Sequence, residues 1–203
     1  MSPVIAQRTG NYMLTFSGRR FWPTDPHPDD VHLEDIAHAL ALQNRFGGHT
    51  RSPYSVAQHC VLVSELVPPA LALEGLFHDA NEAYIVDIPR PLKYSVGMEG
   101  YKPIEAAVQE AICLKYGLPA TLAPAIKVAD DAACYAEMRD LMPPAQVELV
   151  GYLASYSASV RRRRGIQLQD MVDAVPEVRP WPWQYAKEQW VRRYIALGGT
   201  ERL

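Results

Sequence analysis

A single all-α domain, a helical bundle with a short N-terminal hairpin, is the fold the sequence predicts, and three observations predict it. Apolar residues recur at spacings of two to four through most of the chain, which is the helical period rather than the alternation of a strand. Strand signals are confined to "YMLTFSGRRFWP", residues 12–23. No internal repeat, low-complexity tract or linker divides residues 1–203, and 48% hydrophobic with 21% charged residues suits one well-buried core.

The first helix falls in "DDVHLEDIAHALALQNRF", where Val31, Leu33, Ile36, Ala37, Leu40 and Leu42 form the apolar stripe. Acids at its start suit the positive end of the helix dipole, and Gly47-Gly48 should end it. "SPYSVAQHCVLVSELVPP" opens with Ser55 and Gln58 at capping-box spacing, continues through Val61, Leu62, Val63 and Leu66, and stops at Pro68-Pro69. "ALALEGLFHDANEAYI" is apolar on most of its circumference, the pattern of a helix in the middle of a bundle. Further helices are predicted at Lys102 to Tyr116, Leu122 to Leu141, Gln146 to Ser159 and Trp183 to Leu197.

Composition narrows the function classes. A net charge of −3 gives no long-range attraction to nucleic acid, and neither an eighteen-residue apolar run nor a signal-peptide pattern occurs. The expectation is a soluble, cytoplasmic protein with no nucleic-acid polymer and no membrane among its partners. The cysteines, Cys60, Cys113 and Cys134, are odd in number, widely spaced and set among apolar residues, which fits reduced, buried thiols. The run Arg161 to Arg164 reads as a solvated helix end or a subunit contact. The segment "RPWPWQYAKEQW", with Trp181, Trp183 and Trp190, reads as packing or as the interface of a homo-oligomer, which is the expected assembly.

Polar residues on the central helix need an explanation. His78 and Asp79 are adjacent among Leu71, Leu73, Leu76 and Phe77, and Glu82 follows one turn later on the same side. Burying an imidazole and two carboxylates costs several kcal/mol unless they are paired or bind a cation. No Lys or Arg lies on this helix, so a divalent metal ion is the economical partner. His59, in the middle of the preceding helix, and Asp130, in "PAIKVADDAACYAEMRDL", are the candidates to complete its ligand set. Two imidazoles and two carboxylates suit cobalt, manganese, zinc or magnesium with positions left for water and phosphate.

In order along the chain, "SVAQH", "HDANE", "VDIPRPLK" and "KVADD" resemble the motifs of the HD superfamily of metal-dependent phosphohydrolases. The similarity is to the branch containing bacterial 5′-deoxynucleotidases and phage-encoded deoxynucleotide phosphohydrolases, and it covers roughly Gly18 to Leu141. The resemblance implies an HD-domain bundle whose metal ligands are His59, His78, Asp79 and Asp130, the residues already reached by the burial argument. It also implies that Glu82 is the acid acting on the water or the leaving group. Asp87, Ile88, Pro89 and Arg90 would form the substrate-contacting stretch. Asn44-Arg45-Phe46 matches a family Asn-Arg-Trp element, which makes Arg45 a phosphate contact and puts Phe46 where the family has an indole donor.

The implied activity is removal of phosphate from the 5′ end of a small nucleotide, a deoxynucleotide above all, as a 5′-nucleotidase or a triphosphohydrolase. Charge on a phosphate ester must be shielded before a nucleophile can attack, so the metal together with Arg45, Arg90 and Lys93 is the expected anion site. Asp87 is expected to orient the water or to bond the sugar 3′-hydroxyl. Trp22, in "RRFWP", has two readings: a surface for the nucleobase, or an anchor for the N-terminal segment. His49 reads as a surface loop residue. A catalytically silent nucleotide-binding or regulatory domain is the alternative, against which Glu82 and Asp87 both stand; a helical nucleic-acid binder is disfavoured by the acidic balance.

Overall fold

The structure is a computed structural model that describes residues 8–144 and 172–201. Its helices are α1 (Leu33–Leu42), α2 (Val56–Leu66), α3 (Ala72–Leu76), α4 (Glu82–Ile85), α5 (Arg90–Lys93), α6 (Tyr101–Tyr116), α7 (Pro124–Leu141) and α8 (Trp183–Ala196). An antiparallel hairpin, β1 (Met13–Leu14) with β2 (Arg20–Phe21), precedes them. The all-α reading with its short N-terminal hairpin therefore holds. The helix predicted at residues 146–159 and the arginine run at 161–164 lie outside the described residues.

The helix at the centre is α2, which packs against α1, α3, α7 and α8. One face of α2 joins Ile36 and Leu40 of α1, Leu76, Phe77, Val108, Ile112 and the buried Trp190 of α8 in the main core. Another joins Ala72 of α3 and Ile126, Ala129 and Ala133 of α7. The close approach of α3 to α2 depends on Gly75, where an added Cβ would lie 3.2 Å from Val67 Cγ2 and 3.3 Å from Ser64 Cα. Ser17 ties the hairpin tip to α1, its N–H and hydroxyl donating to the two oxygens of Asp35 at 2.7 and 2.9 Å.

Three local expectations are corrected. The stretch expected to be one central helix is two, α3 and α4, joined by a tight turn over residues 77–81 whose N–H groups bond three residues back: Ala80 to Phe77 O and Glu82 to Asp79 O. The Gly75 carbonyl, the α-helical acceptor for Asp79, instead faces the ring of His78, with Nδ1 at 2.8 Å. Helix α1 ends at Gln43 rather than at Gly47, because the Gln43 carbonyl accepts from Val56 N–H and the chain turns back toward α2. A separate 3₁₀ turn, Arg45–Gly48, follows, with Phe46 and Gly47 both at positive φ. Ser55 caps α2 as expected, but the reciprocal bond is not made. The Gln58 amide instead donates to Arg179 O and accepts from Trp181 N–H, both at 2.8 Å, which moors the segment leading into α8.

Of the C-terminal tryptophans, Trp190 is fully buried and edge-on to Phe77 at 5.1 Å, so packing accounts for it, whereas Trp183 is 40% exposed. Among the described residues no helix is long and apolar enough to cross a membrane.

Candidate metal centre

Three elements of the bundle deliver the polar residues to one point. His59 sits one turn into α2, where helix neighbours on both sides leave its side chain fully buried; His78 and Asp79 sit in the 77–81 turn; Asp130 sits in α7. One ligand atom from each of the four lies within 4.8 Å of the other three. His59 Nε2 is 3.2 Å from His78 Nε2, 3.5 Å from Asp79 Oδ2 and 3.3 Å from Asp130 Oδ1, and His78 Nε2 is 3.0 Å from Asp79 Oδ2. Atoms bound about 2.1 Å from one ion lie about 3.0 Å apart at right angles and about 3.4 Å apart in a tetrahedron. Three of the four separations fall in that range, and the His59–Asp79 distance lies just beyond it.

Ring tautomers make the fit chemical as well as geometric. His59 Nδ1 lies 2.7 Å from Glu137 Oε1, and His78 Nδ1 lies 2.8 Å from the Gly75 carbonyl. A carboxylate and a carbonyl only accept, so each Nδ1 carries the hydrogen, and in the neutral ring each Nε2 presents a lone pair. Two lone pairs and two carboxylates then converge with no donor hydrogen between them. Such a set can hold a metal ion and is compatible with an HD-type metal site. Burial opposes the charged ring of His78, but the adjacent Asp79 carboxylate outweighs burial and raises its pKa well above the usual imidazole value.

Cations approach these acids in ways the burial argument did not count: Arg45 comes from the segment after α1, and Lys127 from one turn before Asp130 on α7 itself. Arg45, buried, places Nη1 3.7 Å from Asp79 Oδ2. Lys127 Nζ lies 2.5 Å from Asp130 Oδ2 and 2.6 Å from Asp131 Oδ1. Glu137 was missed as well. It has no solvent exposure and faces His59, Tyr54 OH at 2.9 Å and Arg45 Nε at 2.9 Å. Its signal was available: Glu137 follows Asp130 by two helical turns on α7, and Lys127 precedes it by one.

The centre opens into a cavity of about 980 Å³, lined by His78, Asp79 and Asp130 together with Glu82, Asp87, Ile88, Pro89, Arg90, Lys93, Arg45 and Phe46. The structure thus brings all the proposed site residues to one place except Trp22. That ring packs on Tyr12 at 5.5 Å and under Arg8 at 4.5 Å, within the N-terminal segment, and is not among the residues lining the cavity. The anchoring reading describes its surroundings. His49, read as a surface loop residue, does line the cavity, and Leu122, Ile126, Met138 and Met142 make an apolar wall.

Glu82 is 8% exposed and its Oε2 has no hydrogen-bond partner. Burial, reinforced by the charges of Asp79 and Asp87, holds its carboxyl well above the usual range. Burial also raises Asp87, with Arg45 opposing it. Lys93 is paired with Glu105 of α6. The arrangement therefore offers a candidate cation site, a carboxyl held above its usual range and several guanidinium and ammonium groups around one apolar-walled space.

Comparison with known proteins places this geometry beside three relatives. An uncharacterised Escherichia coli K12 protein, YfdR, is 44% identical over 131 residues, 64% of this chain and 72% of its own length. An uncharacterised protein of Rhodobacter capsulatus is 41% identical over 126 residues, 58% of this chain and 64% of its own length. A 5′-deoxynucleotidase of Photobacterium profundum is 35% identical over 81 residues, 38% of this chain and 34% of its own length. No family model matches the chain.

Proposed function

We propose that this chain, which belongs to the family of the Escherichia coli protein YfdR, is an HD-type, metal-dependent phosphohydrolase removing phosphate from the 5′ end of nucleotides, deoxynucleotides above all. The observation that carries the proposal is the convergence of two imidazole lone pairs and two carboxylates beside Glu82 and Asp87 in one cavity. Similarity over 81 residues to a protein named a 5′-deoxynucleotidase supports the substrate class.

His59, His78, Asp79 and Asp130 would hold the divalent ion, which supplies Lewis acidity toward a phosphoryl oxygen and a nucleophile near neutral pH. The chain's own groups do the remainder. Arg45, fixed by Glu137 through Nε, directs Nη1 toward the site and binds phosphate oxygens, with Arg90 and Lys93 as further contacts. Glu82, whose carboxyl burial and the neighbouring acids hold above its usual range, acts on the attacking water or the departing oxygen. Asp87 orients the attacking water or accepts from the sugar 3′-hydroxyl. Phe46, Ile88 and Pro89 offer surface to the sugar, and the wall formed by Leu122 and Met138 takes the base.

The test is incubation with deoxy- and ribonucleoside mono- and triphosphates under Mn²⁺, Co²⁺, Mg²⁺ and Zn²⁺, with products separated by chromatography. Nucleoside plus single phosphate from monophosphates marks a 5′-nucleotidase; nucleoside plus triphosphate marks a triphosphohydrolase. Asp79→Ala is expected to lose bound metal and at least about 1000-fold in turnover. Unchanged turnover in that variant defeats the metal mechanism, and metal binding without turnover of any nucleotide leaves the silent binding domain instead.

A further inference from the structure

Between the two acids of the site, Glu82 and Asp87, the backbone does something unusual. Val86 has φ 63° and ψ 157°, a region that a β-branched residue avoids and that glycine ordinarily fills. Its side chain is 56% exposed, so packing does not account for its conformation. Strain of this kind persists where the surroundings over-determine it, and here the surroundings can be named.

Gln43, the residue at which α1 ends, grips both sides of Val86. Its Nε2 donates to Glu82 O at 2.8 Å, and its Oε1 accepts from Asp87 N–H at 3.2 Å. One partner only accepts and the other only donates, so the orientation of the amide is unambiguous. The Glu82 carbonyl also receives Val86 N–H at 2.9 Å, closing the turn. From the other side Tyr101, the first residue of α6, donates its hydroxyl to Val86 O at 3.2 Å. Gln43 is itself held at both backbone groups, N–H to Ala39 O and carbonyl from Val56 N–H, at the junction of α1 and α2.

We infer that Gln43 is a positioning residue for Asp87: it ties the backbone between Glu82 and Asp87 to the α1–α2 junction, which carries Arg45 and leads to His59, and so sets the second acid against the metal centre. The inference rests on the proposed role of Asp87 and adds the residue through which that role is placed. A side chain that acts through Asp87 has nothing left to act on once Asp87 is disabled, whereas a side chain that only stabilises the fold costs the same in either background.

The experiment is a double-mutant cycle on the full chain with bound metal measured in each protein. Gln43→Met is expected to lower kcat about 10- to 100-fold, the scale of a small misplacement of a catalytic group. Metal content should be unchanged and KM should stay within about threefold. In the Asp87→Asn background the same substitution should cost less than about threefold. Hydrogen exchange at the Asp87 amide should accelerate in Gln43→Met. Equal fractional losses in the two backgrounds, or an Asp87 amide that exchanges at the wild-type rate, overturn the assignment. Failure of the wild-type protein to turn over any nucleotide defeats the proposed function instead, and the amide measurement still decides whether Gln43 holds the loop.

Discussion

Glu137 Oε1 receives the Nδ1–H of His59 at 2.7 Å across a sequence separation of 78 residues. The bond fixes which nitrogen of His59 looks into the centre. The other carboxylate oxygen holds Arg45 Nε at 2.9 Å, so one buried group aligns a candidate metal-ligating ring and the guanidinium proposed to meet phosphate together.

Replacing Glu137 separates those two jobs. Glu137→Ala is expected to weaken metal binding about 10- to 100-fold, the usual consequence of losing the partner of a ligating His. It should also cost about 3–5 kcal/mol of stability, because Arg45 is left buried without its carboxylate. Glu137→Gln keeps an acceptor for His59 and should lose less metal affinity. Calorimetric metal titration and chemical denaturation read the two effects independently.

Trp22→Ala should leave KM and base preference as they are, since the ring stands on Tyr12 and Arg8 away from the cavity. A stability loss of about 1–2 kcal/mol is expected from the lost ring contacts. A changed KM with unchanged stability would reverse that assignment.

Val86→Gly trades stability for activity. Relief of strain of about 1–3 kcal/mol, less about 0.5–1 kcal/mol for the added freedom of glycine in the unfolded chain, leaves a net gain of about 1 kcal/mol. For a chain of this size that corresponds to about 2–4 °C in Tm. Turnover should fall as the loop carrying Asp87 loosens. Calorimetry and steady-state kinetics on one preparation check both directions.

Cys134, one turn after Asp130 on α7, lines the cavity, yet burial pushes its thiol up to about 12. Alkylation of Cys134, followed by peptide mass spectrometry, should rise tenfold per pH unit from 7 to 10 without levelling off near 9 as an ordinary thiol does. The same shift has a stability sign. From about pH 9 upward the unfolded chain releases a proton that the folded chain retains, so this contribution is complete below about pH 9 and is lost as pH rises toward about 12. Cys134→Ala should flatten that part of the alkaline limb.

Much of this was legible in the sequence because helical periodicity, prolines and the terminal hairpin are local signals, and α2, α6, α7 and α8 fall close to where those signals put them. His78 and Asp79 were legible because polar groups buried in an apolar segment need a partner, and His59 and Asp130 because they interrupt neighbouring helices and stand in the order of the HD motifs. The break at residues 77–81 was not, since Leu76, Phe77 and Ala80 keep facing the core through a tightened turn, so the apolar pattern runs on while the hydrogen bonds change. Gln58 sits at capping-box spacing, yet its amide partners lie 121 and 123 residues away. The surroundings of Trp22, and the three partners of Glu137, likewise depend on contacts that no local window contains.

Gly75 bears no functional group, but it stands where α3 touches α2, and its carbonyl faces the ring of His78. A methyl group there meets Ser64 and Val67 of the α2 side at van der Waals limits or tighter. Pushing α3 outward carries His78 away from His59 and widens the 3.2 Å gap between their Nε2 atoms. For the proposed metal centre, ion size and helix spacing then become one variable, open to tuning from a position that contributes only the absence of a side chain.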